Sequence, residues 1–412
     1  MSQILAYTSP ARGHLFPVVP ILDELRERGH DIAVRTLASE VSAMRERGFD
    51  AAPIDAALED ITHDDYLGRT PLGGLRRSTR VFVERARVDA VDLSRAIDEV
   101  QPGTLLVDIN AWGATAAAEA SGRPWAAWCP YPLPLPSRDV PPFGPGLAPA
   151  RGAAGRLRDA LLRPLVFGSL ERILLPRVND IRRQMGLARV ESVAELYSRS
   201  PLILYLTAEP FEYPRSDWPA NVRMVGPCDW DPPMDRPEWL DDVDQPIVLV
   251  TTSSEFQNDG RLVAVALEAL AGEDVHVVAT MPSASTAGIS APANAHVVPF
   301  LPHGQILDRA VCAVTHGGMG GTQKALARGV PVCAVPFGRD QLEVARRVEL
   351  CGAGTRLPAS KLRPDRLRDA VRRAIECKSG AERAARAYRE AGGARAAAAH
   401  VEAILSREAA RS

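Results

Sequence analysis

Short apolar runs alternate with amphipathic stretches along the first third of the chain. These runs predict strands at 3–8, 31–36, 104–109 and 124–129, and helices at 17–30 and 112–122. Gly29 lies just past the end of the first of these helices, where glycine commonly ends a helix. Strand–helix–strand repetition indicates a parallel sheet with helices on both of its faces.

An acidic, proline-rich segment at 230–246 interrupts this pattern and is typical of an interdomain linker. The alternation then restarts, and strands are predicted at 247–253, 275–280, 295–300, 310–316 and 330–336. An alanine-rich stretch at 381–405 predicts a closing helix. Because 412 residues are too many for one ordinary core, we expect two doubly wound α/β domains that face each other across a cleft.

A second proline-rich segment, 129–149, cannot be a helix or a central strand, because eight of its 21 residues are proline. It is either an irregular surface loop or a shaped wall of a binding cleft. The aromatic residues Tyr131 and Phe143 favour a wall, but the sequence leaves both interpretations open. A helical region is predicted after it, at 151–186.

The composition excludes several classes of protein. Hydrophobic residues make up 46% and charged residues 24%, the net charge is −2, and no basic tract is present, which argues against nucleic acid as a partner. No apolar run reaches membrane-spanning length and no signal peptide is recognisable, so we expect a cytoplasmic protein without a membrane partner. The six cysteines are scattered, and Cys312 and Cys333 are expected to be buried thiols. Neither a disulfide framework nor a metal site is predicted.

A glycine-rich turn, residues 317–321, follows the predicted strand 310–316 and precedes a helical pattern. Such a turn lets backbone N–H groups approach an anion at a helix N-terminus. It is not a P-loop, because Gln323 and Ala325 flank Lys324 where glycine and Ser/Thr are needed, and the dinucleotide fingerprint fails as well. A diphosphate cradle and a plain glycine hinge both remain possible, and His316 at the strand end together with Thr322 near the helix start favours the cradle.

The segment 315–354 resembles the donor-binding signature of bacterial family 1 glycosyltransferases, with an H-G-G-x-G run followed by a D-Q pair. Segment 13–36 is similar to that family's first loop, helix and second strand. Segment 300–307 is similar to its base-binding segment, and 388–405 to its closing helix. Enzymes that glycosylate polyketide and macrolide antibiotics match the pattern best, and enediyne glycosyltransferases are a plausible subset.

The resemblance implies the GT-B fold, in which two Rossmann-like domains enclose the active site. It implies an acceptor-binding domain over 1–229, the linker 230–246, a nucleotide-sugar-binding domain over 247–385, and a C-terminal helix within 386–412 that packs back on the first domain. It also implies inverting sugar transfer from a nucleotide diphosphate without a metal or other cofactor.

Two residues match the family's catalytic pair. His14, in the turn after the first strand, would be the general base that activates the acceptor hydroxyl. Asp108, at the end of the strand 104–109, would orient His14, although it could instead cap the following helix. Asn110 is close enough in sequence to be confused with Asp108.

The remaining candidates would bind the donor. Asp340 would bind sugar hydroxyls or cap a helix, and Phe300 would stack on the nucleobase or pack in the core. The full set implied by the resemblance is Ser253, Ser254, Phe300, Leu301, His316, Gly318, Gly320, Gly321, Thr322, Asp340 and Gln341. Asp242 and Asp244 resemble a metal-binding D-x-D signature but are interpreted as a solvated loop.

Lys324 departs from the family pattern, because many relatives carry a ribose-binding glutamate eight residues after the signature histidine. A lysine ammonium only donates hydrogen bonds, so it cannot accept one from a ribose hydroxyl. This favours a dTDP-sugar, whose deoxyribose lacks the 2′-hydroxyl. Alternatively, Lys324 points to solvent or reaches a phosphate.

The sequence therefore predicts an inverting glycosyltransferase that moves a deoxysugar to a hydroxyl of a hydrophobic natural product. Its expected partners are the acceptor and the nucleotide sugar, and we expect a monomer or a homodimer. A UDP-sugar-dependent transferase, a nucleotide-sugar epimerase of the same architecture and a non-catalytic helper protein remain as alternatives.

Overall fold

A computed structural model of the chain describes residues 2–68 and 70–409. The first domain contains a seven-stranded parallel sheet with the strand order 3-2-1-4-5-6-7. Its strands are β1 (Gln3–Tyr7), β2 (Asp31–Thr36), β3 (Asp50–Pro53), β4 (Thr104–Asp108), β5 (Trp125–Cys129), β6 (Ile203–Tyr205) and β7 (Val222–Met224). Its helices are α1 (Arg12–Leu15), α2 (Val19–Glu27), α3 (Val41–Glu46), α4 (Ala56–Asp60), α5 (Pro71–Val100), α6 (Trp112–Ala120), α7 (Ala153–Gln184) and α8 (Val193–Ser198).

The second domain contains a six-stranded parallel sheet with the strand order 10-9-8-11-12-13. Its strands are β8 (Ile247–Thr251), β9 (His276–Thr280), β10 (Ala295–Val298), β11 (Ala310–Thr315), β12 (Val332–Ala334) and β13 (Gly354–Arg356). The helices after β8 are α9 (Arg261–Leu270), α10 (Gly304–Leu307), α11 (Met319–Ala327), α12 (Gln341–Leu350), α13 (Pro364–Ile375), α14 (Lys378–Glu390) and α15 (Gly393–Ala409).

Both sheets are buried on both faces, as expected for parallel sheets covered by helices. In β1, Leu5 and Tyr7 pack into the core under α5 and α6, whereas Ile4 and Ala6 pack into the core under α2. Each predicted strand is present, with ends that differ by a few residues. The two predicted doubly wound domains are therefore confirmed.

The end of the chain differs from the single helix expected over 381–405. Gly392 and Gly393 have φ of +90° and +55°, and they separate α14 from α15. Helix α14 packs against α11 of the second domain, whereas α15 packs against α2 of the first. The end of α14 already contacts the first domain, where Tyr388 packs edge to face against Phe211, and α15 completes the return.

The segment 230–246 is irregular except for a short 3₁₀ turn at Glu238–Leu240. It is not a loose tether, because Leu240 and Val243 are buried in the core of the second domain. Asp242 and Asp244 are exposed, as the solvated-loop interpretation predicted. The six cysteines are free thiols, and Cys312 and Cys333 are buried, as expected.

Buried polar contacts join the two domains at α12. The Glu343 carboxylate accepts hydrogen bonds from the backbone N–H groups of Gly144 and Gly146, both at 2.8 Å. One turn further along the helix, Arg347 pairs with Glu212 of the first domain at 2.9 Å and with Glu343 at 3.0 Å. The Glu343 contacts fix the proline-rich segment 129–149 against the second domain, and the Arg347 pair adds a second link at Glu212.

Across residues 2–68 and 70–409, no helix is both long enough and apolar enough to cross a membrane.

Candidate active site

A cavity of about 1380 Å³ lies between the two domains. Its walls are formed by the loops at the carboxyl ends of both sheets, where open α/β sheets bind their ligands. The first domain contributes the loops after β1, β4 and β5, and the second contributes the loops after β8, β11 and β12.

His14 and Asp108 form a hydrogen-bonded pair at this cavity. The Nδ1 atom of His14 lies 2.9 Å from Oδ2 and 3.0 Å from Oδ1 of Asp108. Asp108 is fully buried, and the backbone N–H groups of Ser9 and Asn110 also donate to it, at 3.1 Å and 3.0 Å. Because β1 and β4 are neighbouring strands, their carboxyl ends bring the two residues together.

The pair is electrostatically suited to receiving a proton. Burial alone would lower the pKa of His14, but the charge of Asp108 and its hydrogen bond raise it above its usual value. Burial alone would raise the pKa of Asp108, but His14 and the surrounding hydrogen bonds lower it. Asp108 therefore stays ionised and stabilises an imidazolium on His14.

Asn110 lies on the opposite side of the imidazole ring. Its amide nitrogen is 3.4 Å from Nε2 of His14, and its amide oxygen accepts a hydrogen bond of 2.7 Å from the hydroxyl of Tyr131. The structure thus separates the roles of the two neighbours: Asp108 binds Nδ1, whereas Asn110 and Tyr131 flank the Nε2 atom that faces the cavity.

The glycine-rich turn lies across the cavity from His14, between β11 and α11. Gly317 has φ of +87°, a left-handed conformation that favours glycine. A Cβ on Gly318 would come within 2.3 Å of Nε2 of His316, so only glycine fits beside that ring. Gly320 and Gly321 lie in the first turn of α11 and line the cavity, with no atom within 4 Å of a Cβ built on Gly320. Their backbone is open to a ligand.

His316 also lines the cavity, and no residue within 2–68 and 70–409 forms a hydrogen bond with its buried Nδ1. Burial lowers the pKa of His316, so the ring is neutral near pH 7. A neutral imidazole can donate one hydrogen bond to an anionic ligand without introducing a full charge.

Thr322 does not belong to the site. Its side chain is fully buried, with Oγ1 at 3.2 Å from Oγ1 of Thr315, and its backbone N–H bonds to the carbonyl of Gly318. The helix turns this residue toward the sheet, so the expected phosphate contact of Thr322 is wrong. Its neighbour Gln323 does line the cavity, and its amide oxygen has no hydrogen-bond partner in the described part of the chain.

Ser253 and Ser254 line the cavity from the loop after β8. Ser253 is held in place: its backbone N–H donates to Asp259 at 2.7 Å, and its hydroxyl accepts from the side chain of Gln257 at 2.6 Å. Ser254 is exposed. The hydroxyl hydrogen of Ser253 can therefore be donated in a hydrogen bond to a ligand.

Asp340 and Gln341 begin α12 and also line the cavity. Asp340 occupies the N-cap position but its side chain makes no capping hydrogen bond, so the carboxylate is available to a ligand. Burial raises its pKa. The amide of Gln341 is occupied by protein partners, because it accepts from the N–H groups of Phe337 and Gly338 and donates to Gln257. Gln341 therefore supports the loop around Asp340.

Phe300 and Leu301 line the cavity in the loop after β10. Phe300 is partly exposed, whereas Leu301 is buried. The partly exposed ring of Phe300 is compatible with a stacking surface for a base.

Lys324 makes an interaction that the sequence did not predict. Its ammonium contacts the carbonyl oxygen of Trp230 at 2.9 Å, Oδ1 of Asp231 at 2.6 Å and Oδ1 of Asp229 at 2.9 Å. Three acceptors match the three N–H donors of lysine. Lys324 therefore binds the segment that joins the domains, and the alternative in which it points to solvent is wrong.

The first domain supplies an aromatic and aliphatic wall. Tyr131 and Phe143 line the cavity, so the proline-rich segment 129–149 is a cleft wall and not merely a surface loop. Sequence analysis missed the residues that complete this wall, because they lie far apart along the chain in no recognisable motif: Phe82, Trp112, Phe167, Leu170, Leu174 and Tyr197. The amphipathic character of α5 is the signal that could have pointed to Phe82.

Within the described ranges 2–68 and 70–409, no group of three or more histidine, cysteine, aspartate or glutamate side chains is placed to hold a metal ion.

The chain was compared with known proteins. Residues 264–405 match the family described as erythromycin biosynthesis protein CIII-like, C-terminal domain. A relative from Lentzea aerocolonigenes, named 4'-demethylrebeccamycin synthase, is 34% identical over 390 residues, which cover 91% of this chain and 92% of the relative.

Solved structures share the fold. A crystal structure described as the glycotransferase of kitacinnamycin superposes with a TM-score of 0.78 at 24% identity, covering 98% of this chain and 99% of the other. The glycosyltransferase VinC, crystallised in complex with dTDP, gives a TM-score of 0.69 at 23% identity, covering 98% and 100%.

Proposed function

The chain belongs to the family of antibiotic-biosynthesis glycosyltransferases with the GT-B fold, and we propose that it transfers a deoxysugar from a dTDP-linked donor to a hydroxyl of a hydrophobic natural product. The observation that carries this proposal is the placement of the His14–Asp108 pair in the same cavity as the glycine-rich turn. One cavity thus offers a base for an acceptor and an anion-binding helix end for a donor.

The proposed reaction is a single displacement. Nε2 of His14 would take the proton of the acceptor hydroxyl as its oxygen attacks the anomeric carbon, and Asp108 would stabilise the resulting imidazolium. The bond from the anomeric carbon to the diphosphate breaks as the new glycosidic bond forms, so the configuration inverts. No metal is required in this scheme, since hydrogen-bond donors would stabilise the leaving diphosphate.

The donor would lie against the second domain. We assign the diphosphate to the N-terminus of α11, at Gly318, Gly320 and Gly321, with His316 and the hydroxyl of Ser253 as further donors. Asp340 would accept hydrogen bonds from the sugar, and Phe300 would stack on the base.

The contacts of Lys324, Asp229 and Asp231 support dTDP over UDP. Lys324 offers no acceptor to a 2′-hydroxyl, and the nearby carboxylates are already engaged. Asp231 binds Lys324 and the N–H of Gly304, whereas Asp229 binds Lys324 and Arg328. The dTDP found in VinC agrees with this choice.

The acceptor would occupy the wall of the first domain. Phe82, Trp112, Tyr131 and Tyr197 present aromatic surface within reach of the cavity, and a volume of about 1380 Å³ exceeds what a nucleotide sugar alone requires. This favours a large, flat, apolar acceptor with a hydroxyl directed at His14.

Two measurements test the proposal. Calorimetry on the full chain should show tighter binding of dTDP than of UDP, and equal affinities would defeat the dTDP assignment. Incubation with α-linked dTDP-sugars and a panel of polycyclic phenols in EDTA should give β-linked products by NMR. Products of retained configuration, or loss of transfer in EDTA, would overturn the single-displacement mechanism.

A further inference from the structure

Three loops meet at Arg339, directly before Asp340. The guanidinium of Arg339 binds both carboxylate oxygens of Asp65 at 3.0 Å each, and Oε2 of Glu255 at 2.6 Å. Asp65 belongs to segment 61–68 of the first domain, and Glu255 lies in the loop after β8 of the second. One side chain therefore joins the acceptor-side half of the cleft to two loops of the donor-side half.

The backbone at this point is constrained. Arg339 has φ of +52°, a left-handed conformation that is unusual for a residue other than glycine. Such a conformation persists where the surrounding contacts determine it. Here the N–H of Gln341 donates to the carbonyl of Gly338 at 3.1 Å and closes the turn around Arg339, while the two ion pairs hold its side chain. The conformation of Arg339 sets the direction in which Asp340 follows.

The ion pairs are shielded from solvent. The side chains of Asp65 and Arg339 are 6% and 17% exposed. The fork of a guanidinium matches a carboxylate in two parallel hydrogen bonds, a geometry that lysine cannot reproduce. Without Arg339, the carboxylates of Asp65 and Glu255, which both line the cavity, would lose the cation that they share.

An aromatic contact lies beside these ion pairs. The rings of Tyr66 and Phe256 meet edge to face with centroids 5.4 Å apart, one from each domain. Both rings remain about half exposed, at 41% and 52%. This contact lies at the mouth of the cavity, where Tyr66 forms part of the lining.

We propose that Arg339 is a positioning residue that binds segment 61–68 to the donor-side loops. Closure of the acceptor half of the cavity and the placement of Asp340 then depend on the same two ion pairs. The clasp, defined as Arg339 with Asp65 and Glu255, depends on the proposed function for its role in sugar transfer. Its existence as a mechanical link between the domains can be measured without any ligand.

The test is hydrogen–deuterium exchange on the full-length chain, comparing wild type with Asp65→Asn and Arg339→Lys. Asp65→Asn lies in the first domain, yet the clasp predicts at least tenfold faster exchange in segment 336–341 of the second domain. Arg339→Lys should accelerate exchange in segment 61–68 to the same extent. Asp65→Glu keeps a carboxylate and should stay within threefold of wild type.

Arg372→Lys is the matched control, because Arg372 forms a forked pair with Glu273 on the outer surface of the second domain. It should alter exchange in neither segment. The clasp is overturned when Asp65→Asn leaves exchange in 336–341 at the wild-type rate, or when Asp65→Glu is as fast as Asp65→Asn.

Binding of an α-linked dTDP-sugar separates the clasp from the proposed function. Because Asp340 is assigned to the sugar, the clasp predicts at least threefold weaker binding of the dTDP-sugar in Asp65→Asn, while dTDP itself binds as it does to wild type. Unchanged affinity for the dTDP-sugar in this variant would overturn the positioning role. A wild-type chain that binds neither dTDP nor UDP would overturn the donor assignment, while the exchange data would still decide whether the clasp exists.

Discussion

The ammonium of Lys324 lies 2.6 Å from Oδ1 of Asp231, so the helix behind the glycine-rich turn is bound directly to the segment joining the two domains. Position 324 resembles a ligand-contact position in sequence, but its lysine binds the segment that joins the domains. The glycine-rich turn and the segment that joins the domains are therefore held together as one polar unit. A substitution in either should change the stability of the other.

The first prediction concerns this unit. Lys324→Met leaves Asp229 and Asp231 without their shared counterion in a partly buried place and should lower the free energy of unfolding by about 1–3 kcal/mol. Urea denaturation followed by circular dichroism measures this. Lys361→Met, at an exposed lysine, is the control and should change stability by less than about 0.5 kcal/mol. Equal effects of the two variants would show that the Lys324 contacts contribute little.

His14→Ala should reduce kcat by about 10²-fold or more, because the acceptor hydroxyl loses its base. The affinity for dTDP, measured by calorimetry, should stay close to wild type, since His14 lies on the acceptor side. His400→Ala, on α15, provides the control. Near-normal kcat in His14→Ala would remove His14 from the mechanism.

The pH dependence of kcat/KM should reveal the effect of Asp108 on the pKa of His14. A protonated His14 cannot accept a proton, so activity should fall as the pH drops through a His14 pKa that lies above the ordinary value of about 6.5. In Asp108→Asn the raising influence is lost while burial remains, so the pKa falls and the acid limb should move to lower pH. An acid limb at the same pH in both proteins would contradict this assignment.

Two glycines of the turn should behave differently. Gly320→Ala places a methyl group where no atom lies within 4 Å, inside a helix, and should stabilise the fold by about 0.5–1 kcal/mol. It should nevertheless weaken dTDP binding if the helix end holds the diphosphate. Gly318→Ala brings Cβ against the His316 ring and should weaken both stability and binding. Thermal unfolding and calorimetry give both quantities, and unimpaired dTDP binding by Gly320→Ala would count against the proposed cradle.

Arg347→Met should be the most destabilising of these changes. It removes the counterion of Glu343 and the nearer of the two counterions of Glu212, which keeps only Arg215 at 3.7 Å, and breaking such a buried pair removes about 3–5 kcal/mol of stability. Arg372→Met, at a pair in which the arginine is 61% exposed, should remove less than about 1 kcal/mol. Denaturant titration distinguishes the two, and a loss below about 1 kcal/mol in Arg347→Met would be unexpected.

The fold was predictable wherever apolar runs were long enough to show a period. The strands that escaped prediction, β3, β6, β7 and β13, are only three or four residues long, which is too short for alternation to be visible. The break between α14 and α15 was visible in principle, since the adjacent glycines Gly392 and Gly393 are a recognised signal for the end of a helix.

The site was predictable where its residues follow strand ends. His14 and Asp108 follow neighbouring strands, so topology alone brings them together. Thr322 failed because spacing within a turn does not show which face of the following helix a side chain occupies. The aromatic wall was not predictable, because residues such as Phe82 and Tyr197 are brought together only by tertiary packing.

The return of α15 to the first domain has a consequence for building hybrid enzymes. Ala397, Ala398 and Val401 complete the core under α2, and Glu402 pairs with Arg28 at 2.8 Å. The first domain is therefore discontinuous along the sequence, made of the N-terminal half of the chain and the seventeen residues of α15. A chimera that exchanges donor specificity should replace only the second-domain stretch that ends at Ala391. Residues from Gly393 onward should come from the parent that supplies the N-terminal half. A fusion at one crossover point would instead pair the core of the first domain with α15 from the other parent.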